Sequence, residues 1–441
     1  MAKQRNAMAA VAATVLLSAA AATLPIAATE DPVPVWAAVE ALGGEATVLS
    51  FAGAAFSTTL SGLSGEERER AGQGSALFSR RWSEGAPAVL GPRFVAEGCE
   101  ACHRRDGKGA APREAGAAGG LGGAIVFLVS DVLAGDAGFD RVRPFAVPGV
   151  APDPAVGLHW RTVASRAAGA AGASLRRPVV RLARLPTSAG APAATPSLRA
   201  APAMFGLGLL EAIADADIVD GARACRDCRL GVRGRIALVR DPASGKATVG
   251  RFGWKGSHAT IAAVSAEALQ RDLGIEPPGR ADSEITQAEL DRLVFYLQTL
   301  GVPARRPGSA ARRGASVFRA SHCDACHRPQ WTTGSEHPVA ALRNQTIYPF
   351  TDLLLHDMGP DLAAPHPAGA AGAREWRTAP LWGLGLNRDV SGREDYLHDG
   401  RAGSIEEAIL WHGGEARISR DAYLRLDPAG RRDLLAFLRS L

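Results

Sequence analysis

Two stretches carry apolar residues at the spacing of one helix face. In residues 287–300, Leu290, Leu293, Val294, Leu297 and Leu300 recur along one side, and Gly301 and Pro303 follow as a stop signal. In residues 428–441, Leu434, Leu435, Phe437, Leu438 and Leu441 do the same. A third helix is predicted over residues 65–78. Short apolar runs at 124–129 and 178–182 read as strands. The surrounding stretch from Gly109 to Pro202 is dominated by Ala, Gly, Pro and Arg, and reads as a large, mostly irregular insertion. At the N-terminus Lys3 and Arg5 precede an uncharged apolar run from Ala7 to about Ala22, with small residues at Ala27 and Ala28. That is the layout of a cleaved secretory signal, residues 1–28, and it falls short of the roughly 20 apolar residues a bilayer span needs. No later segment is apolar enough to span a membrane, so a mature chain with no integral span, periplasmic or otherwise exported, is expected.

Composition narrows the picture. A chain of 441 residues with 46% hydrophobic residues suits two domains with globular cores. The net charge of +5 falls once Lys3 and Arg5 are removed. No basic block interleaved with aromatics appears, which argues against nucleic acid as a partner. Arg305, Arg306, Arg312 and Arg313 sit in a Pro/Gly-containing stretch that reads as solvated, with the linker itself at residues 301–312.

The chemistry lies in six cysteines arranged as three CxxC pairs. Two continue into histidine: Cys99-Glu-Ala-Cys102-His103 and Cys323-Asp-Ala-Cys326-His327. CxxCH is the attachment signature of c-type haem. Two thiols add across the two vinyl groups of one porphyrin edge, and the next residue is a histidine placed under the iron. The competing readings are a disulfide, a redox-active thiol pair or a zinc site. An export signal and two copies of the motif disfavour them, and zinc needs a second ligand pair close in sequence. Cys225-Arg-Asp-Cys228 is followed by Arg229, so it lacks a proximal ligand and reads as a local disulfide, with a redox-active pair as the alternative. Two covalently bound haem c groups are expected, with Cys99, Cys102, Cys323 and Cys326 as attachment points and His103 and His327 as iron ligands.

An internal echo supports two related units. Residues 201–209, APAMFGLGL, resemble 379–386, APLWGLGL, and both lie well after their CxxCH. The expected plan is mainly α: a signal at 1–28, an N-terminal cytochrome c-like domain at 29–300 carrying the insertion, the linker at 301–312, and a C-terminal cytochrome c-like domain at 313–441. Both domains would be of class I type.

At this point the residues resemble a family, the di-haem oxidoreductases also called thiol oxidoreductase-like di-haem cytochromes or peroxidases. These are related to bacterial di-haem cytochrome c peroxidases and to the di-haem enzyme of methylamine utilisation. The matching text includes Cys99–His103 with Arg105-Asp106-Gly107, the run from Gly206 to Ile213, and Gly250-Arg251-Phe252-Gly253-Trp254-Lys255. It continues with Asp352 to Gly359, Trp376-Arg377-Thr378, Tyr396 to Ala402, and Trp411-His412-Gly413-Gly414-Glu415-Ala416. The resemblance covers roughly residues 85–441. It implies electron transfer or peroxide chemistry, with a small electron-donor protein and peroxide or another small oxidant as partners. One departure concerns the Arg-rich stretch 221–235, where such proteins tend to be acidic, which puts any calcium site in doubt. A second concerns Tyr396-Leu397-His398, which takes the place of a Tyr-Met-His segment that supplies a methionine ligand in the related peroxidases.

Sixth ligands decide between carrier and enzyme. Met204, in the expected loop of the first unit, and Met358, in a polar His-Asp-Met-Gly setting, are the candidates for the two irons; Tyr396, His398 and His356 are others for the second, which could also stay open. His356, His398, His412 and Glu415 are the candidates for moving the proton that peroxide cleavage requires. Arg377 and Arg401 are candidates for pairing with haem propionates or with developing negative charge. The tryptophans Trp254, Trp376, Trp382 and Trp411 would mostly pack. Two functions stay open: a peroxide-reducing enzyme, or a non-enzymatic di-haem electron carrier. Oxidation of a protein or thiol substrate is a weaker third.

Overall fold

Helices begin where side chains satisfy the first free N–H groups. Ser64 and Glu67 form a capping box on the helix Gly65–Ser79, and Thr286 and Glu289 form another on Gln287–Thr299. Asp427 caps Pro428–Ser440, with proline in its first turn. These three helices lie where the sequence predicts them, the last two from their apolar periodicity. The computed structural model describes residues 33–441 except 51, 85–88, 113–122, 130–138, 165–172, 183–194, 225–229, 242–244 and 366. The signal-like segment 1–28 and the Cys225/Cys228 pair therefore lie outside the described residues.

The long helices pack in two pairs, Gly65–Ser79 against Gln287–Thr299 and Ser309–Ala320 against Pro428–Ser440. A glycine closes each crossing. A Cβ on Gly74 would collide with the carbonyl oxygen of Arg292, and one on Gly314 with that of Asp433. The two echo segments also behave alike. Gly206 and Gly383 both adopt left-handed backbone, at φ 70° and 69°, which glycine tolerates without penalty. The following Gly208 and Gly385 lie against the carbonyls of Gln298 and Arg439, one in each terminal helix.

Val33–Leu441 pack as one unit around a shared apolar core. Trp36 stands edge-on to Phe318 and Phe350 at 6.1 and 5.4 Å and tilts against Phe437, while Phe56 stacks on Phe205 at 4.1 Å. Thr47–Val48 pairs in parallel with Val302–Pro303, and Arg305 beside it is buried. Arg305 donates to Ser440 Oγ and to the carbonyls of Trp36 and Val39. Its expected place in a solvated linker is thus corrected, and Arg312 and Arg313 belong to the helix Ser309–Ala320.

The mainly-α expectation of two class I cytochrome c-like domains with an irregular insertion is overturned. Of the described residues 38% are helical and 17% strand, close to an ordinary mixed α and β protein, with the strands spread over many small sheets. Much of the strand content lies in the supposedly irregular region. Ala124–Val129 sits between Phe139–Arg141 and Thr195–Ala200 in an antiparallel sheet. Val156–Val163 and Leu175–Leu182 form an eight-residue antiparallel ladder whose Leu158, Trp160 and Val180 face a small separate core. Frequent arginine and glycine break the alternation that marks such strands in a sequence. Among the described residues no helix is long and apolar enough to cross a membrane.

Candidate functional site

Both CxxCH segments fold as short turns that place the histidine in the same way. The backbone N–H of His103 donates to the carbonyl of Cys99, and that of His327 to the carbonyl of Cys323, each at 2.9 Å. His103 Nδ1 lies 2.8 Å from the carbonyl oxygen of Pro202, and His327 Nδ1 lies 3.0 Å from that of Phe350. A carbonyl only accepts, so Nδ1 carries the proton and Nε2 keeps its lone pair. Fixing the tautomer through the distant nitrogen is what an iron-binding imidazole requires. Burial pushes both rings down to about 4, so they are neutral at ordinary pH.

The four cysteines are free of disulfides. Burial pushes Cys99 and Cys102 up to about 12 and raises Cys323 and Cys326 as well. Such thiols stay protonated, which is unlike a reactive thiolate pair. Among the described residues no group of histidines, cysteines and carboxylates is arranged to hold a bare metal ion. Near the departing stretch, Asp215 is instead engaged by Arg251, Thr248 Oγ1 and the Val249 N–H.

One cavity of about 1230 Å³ is lined by all four cysteines together with His103 and His327. It exceeds the ~300–1,000 Å³ of a typical small-ligand pocket. Apolar walls, pinned imidazoles and protonated thiols at the wall fit large flat macrocycles with an iron to be ligated.

The remaining candidates are brought to this cavity but not into one cluster. His356 is 2% exposed and its ring is held at both ends, with Nε2 2.8 Å from Asp352 Oδ2 and Nδ1 2.9 Å from Glu415 Oε2. Nδ1 also lies 3.6 Å from Cys326 Sγ. Burial alone would depress His356, but Asp352 and these hydrogen bonds hold it above its usual range as an imidazolium. Glu415 also accepts from the N–H of Arg233, which ties it into the framework. His398 stacks on Trp376, with centroids 3.7 Å apart and planes 9° apart, and burial drives it far below its usual range. His412 ends the helix Ile405–Trp411, with Nδ1 2.7 Å from the carbonyl of Ala408. Met204 and Met358 line the cavity too. Leu397, in the place of the related methionine, lines it with a left-handed φ of 66°, unusual for a residue with a side chain. Arg401 is taken up by Asp399 and the Asp361 carbonyl, and Arg377 donates to the carbonyls of Gly253 and Thr378.

Sequence reasoning missed two lysines in the wall. Lys108 Nζ donates to the Leu397 carbonyl at 2.6 Å and lies 5.3 Å from the ring centre of Trp254. Lys255 donates to the carbonyls of Gly372, Ala373 and Glu375, 3.8 Å from the ring centre of Trp376. Burial pulls them down to about 8 and about 7. Their rarity was the available signal, since the chain has four lysines in all.

A cavity shared by two such histidine and cysteine sets suits a redox protein that holds haem-like macrocycles. The chain belongs to the di-haem oxidoreductase family: the family described as "Di-haem oxidoreductase, putative peroxidase" matches residues 36–118, 195–290 and 276–441, which together are well over half of the chain. The unmatched residues 119–194 contain the eight-residue ladder. Among solved structures, the chain is similar to hydrazine synthase of Kuenenia stuttgartiensis, at 16% identity and TM-score 0.27, over 40% of this chain and 60% of that one. It is also similar to a MauG-like protein associated with microbial copper homeostasis, at 16% identity and TM-score 0.28, over 52% of this chain and 89% of that one. This chain thus spans about 60% of the hydrazine synthase chain it matches. Comparison with curated protein sequences finds no match.

Proposed function

We propose that the protein is an exported c-type cytochrome that holds two haems covalently and reduces peroxide with electrons from a small donor protein. Cys99 and Cys102 would carry one haem and Cys323 and Cys326 the other, with His103 and His327 as proximal ligands. The observation that carries the reading is the repeated arrangement at the two motifs, each with protonated thiols on one wall and an imidazole pinned through Nδ1. When bound, the two irons supply one-electron redox chemistry. A pair suits the reaction, because peroxide takes two electrons and two protons to become two waters while the donor gives one electron at a time.

The chain's own groups have separable tasks. His103 and His327 present Nε2 to the cavity as neutral ligands. His356, charged between Asp352 and Glu415, contributes a fixed positive charge beside Cys326, and with both nitrogens engaged it is a positioning group. His398 lines the cavity, but burial keeps it unprotonated, so it can take up a proton only transiently. In this reading residues 1–28 are removed on export, and 29–300 and 313–441 each supply one haem-binding segment around 301–312. Met204 would serve the first iron. A non-enzymatic carrier is the alternative, favoured by the two methionines in the wall, since irons ligated on both faces have no place for peroxide.

Mass spectrometry of the exported protein tests the reading. Two added haem masses on the cysteine-bearing peptides are expected, and none would refute it. Rapid oxidation of the reduced protein by peroxide, with turnover, distinguishes enzyme from carrier.

A further inference from the structure

We infer that His412 is the sixth ligand of the iron held by His327, an inference that rests on the di-haem reading above. Six described histidines line the cavity: His103, His258, His327, His356, His398 and His412. Three of them share one hydrogen-bond pattern. His103, His327 and His412 each give Nδ1 to a backbone carbonyl, at 2.8, 3.0 and 2.7 Å. In each, Nε2 has no protein partner among the described residues and the ring lines the cavity. Two of the three follow CxxC motifs and need this arrangement to bind iron. The third, at the end of its helix, also caps the Ala408 carbonyl, and its ring still lines the cavity with Nε2 left over.

The other histidines are committed. His258 lies between Ser257 Oγ and Glu267, at 2.9 and 2.7 Å. His356 lies between two carboxylates. His398 is covered by Trp376 and faces Asp399 at 3.4 Å. His412 also lies near the right iron site: three residues on, Glu415 Oε2 meets His356 Nδ1 at 2.9 Å, and that nitrogen lies 3.6 Å from Cys326 Sγ beside His327. His356 shares that proximity but has no nitrogen to offer.

The competing ligand is Met358. The two are neighbours, since a Cβ on Gly413 would sit 2.9 Å from the Met358 carbonyl oxygen. The imidazole has the advantage of preorganisation. Its ring is fixed by the Ala408 carbonyl and its backbone N–H by that of Ile409, at 3.1 Å. A thioether on three rotatable bonds loses more freedom on binding. Burial also keeps His412 below its usual range, hence neutral and able to donate a lone pair. Ligation by two imidazoles gives the second iron a lower potential than a sulfur ligand would. It also leaves that iron no open position, so peroxide reduction would require the first iron to lack or release Met204, and two closed irons would favour the carrier.

The test is EPR and visible spectroscopy of the oxidised full-length protein, with haem content fixed by mass. The wild type should show a low-spin second iron without the weak long-wavelength band of a sulfur ligand to that iron. His412→Gly should convert one low-spin signal to high-spin while both haem masses remain, and added imidazole should restore it. Met358→Leu should leave the second iron's signal unchanged, which keeps the inference testable if His412→Gly folds poorly. Two attached haems with an unchanged His412→Gly spectrum would overturn the inference alone, as would a sulfur band lost in Met358→Leu. A wild type without haem mass would overturn the di-haem reading and this inference with it.

Discussion

Replacing Asp399 with asparagine should unfold the wall of the cavity more readily than any surface change. Asp399 is 2% and Arg401 5% exposed, and the carboxylate accepts from Arg401 Nε at 3.0 Å and from its terminal nitrogen at 2.7 Å. Breaking one side of a buried pair leaves an uncompensated charge and costs about 3–5 kcal/mol. Asparagine keeps one oxygen to accept a bond, so the lower end applies, roughly 3 kcal/mol or on the order of 100-fold in the folding equilibrium. The pH dependence gives a second reading. Burial would raise the Asp399 carboxyl, but the Arg401 guanidinium holds it well below the usual carboxylate range. A depressed group adds stability above its unfolded value, near pH 4, and loses it as pH falls through the native value. Urea unfolding of D399N should show a large deficit at pH 7 that narrows toward pH 3. A deficit under about 1 kcal/mol at pH 7, or one that does not narrow in acid, would refute the reasoning.

Other perturbations test separate parts. Changing Cys323 and Cys326 together to serine should leave one haem mass on the exported protein in place of two, read by intact-mass spectrometry. His356 is held above its usual value, so its contribution to stability is full below the unfolded value near pH 6.5 and declines as pH rises beyond it. The unfolding free energy of the His356→Gln variant should therefore lose up to one proton's worth of this decline between about pH 7 and 9, measured by denaturant titration across that range. Gly314→Ala should cost about 1–3 kcal/mol or more, because the new methyl meets the Asp433 carbonyl at a helix crossing. Gly62→Ala, with no atom within 4 Å, is the matched control and should leave the urea midpoint unchanged.

What could be read from the sequence was what is local. CxxCH is legible because one porphyrin edge fixes the spacing of two thiols and a histidine. Helix ends at Ser64, Thr286 and Asp427 are legible because caps act within four residues. The partners that finish the site are distant: Pro202 for His103, Glu415 for His356, Trp376 for His398. No local spacing announces them. Arg305 looked like a linker residue because its arginine and proline neighbours suggest solvent, whereas its partners Trp36 and Ser440 lie near the two ends of the described chain. The strands of 124–182 were under-read because arginines stand in the ladder itself, as at Arg161 opposite Arg177.

The cavity wall draws on residues as far apart as Phe78 and Leu438. The short parallel pairing of Thr47–Val48 with Val302–Pro303 likewise joins the beginning of the chain to its last third. Closing such distant segments is slow compared with forming a helix. During synthesis, then, each thiol pair is open to solvent long before any enclosure exists around it. A rigid ring would have its opportunity in that interval, before the C-terminal helix that brings Leu438 to the wall is in place.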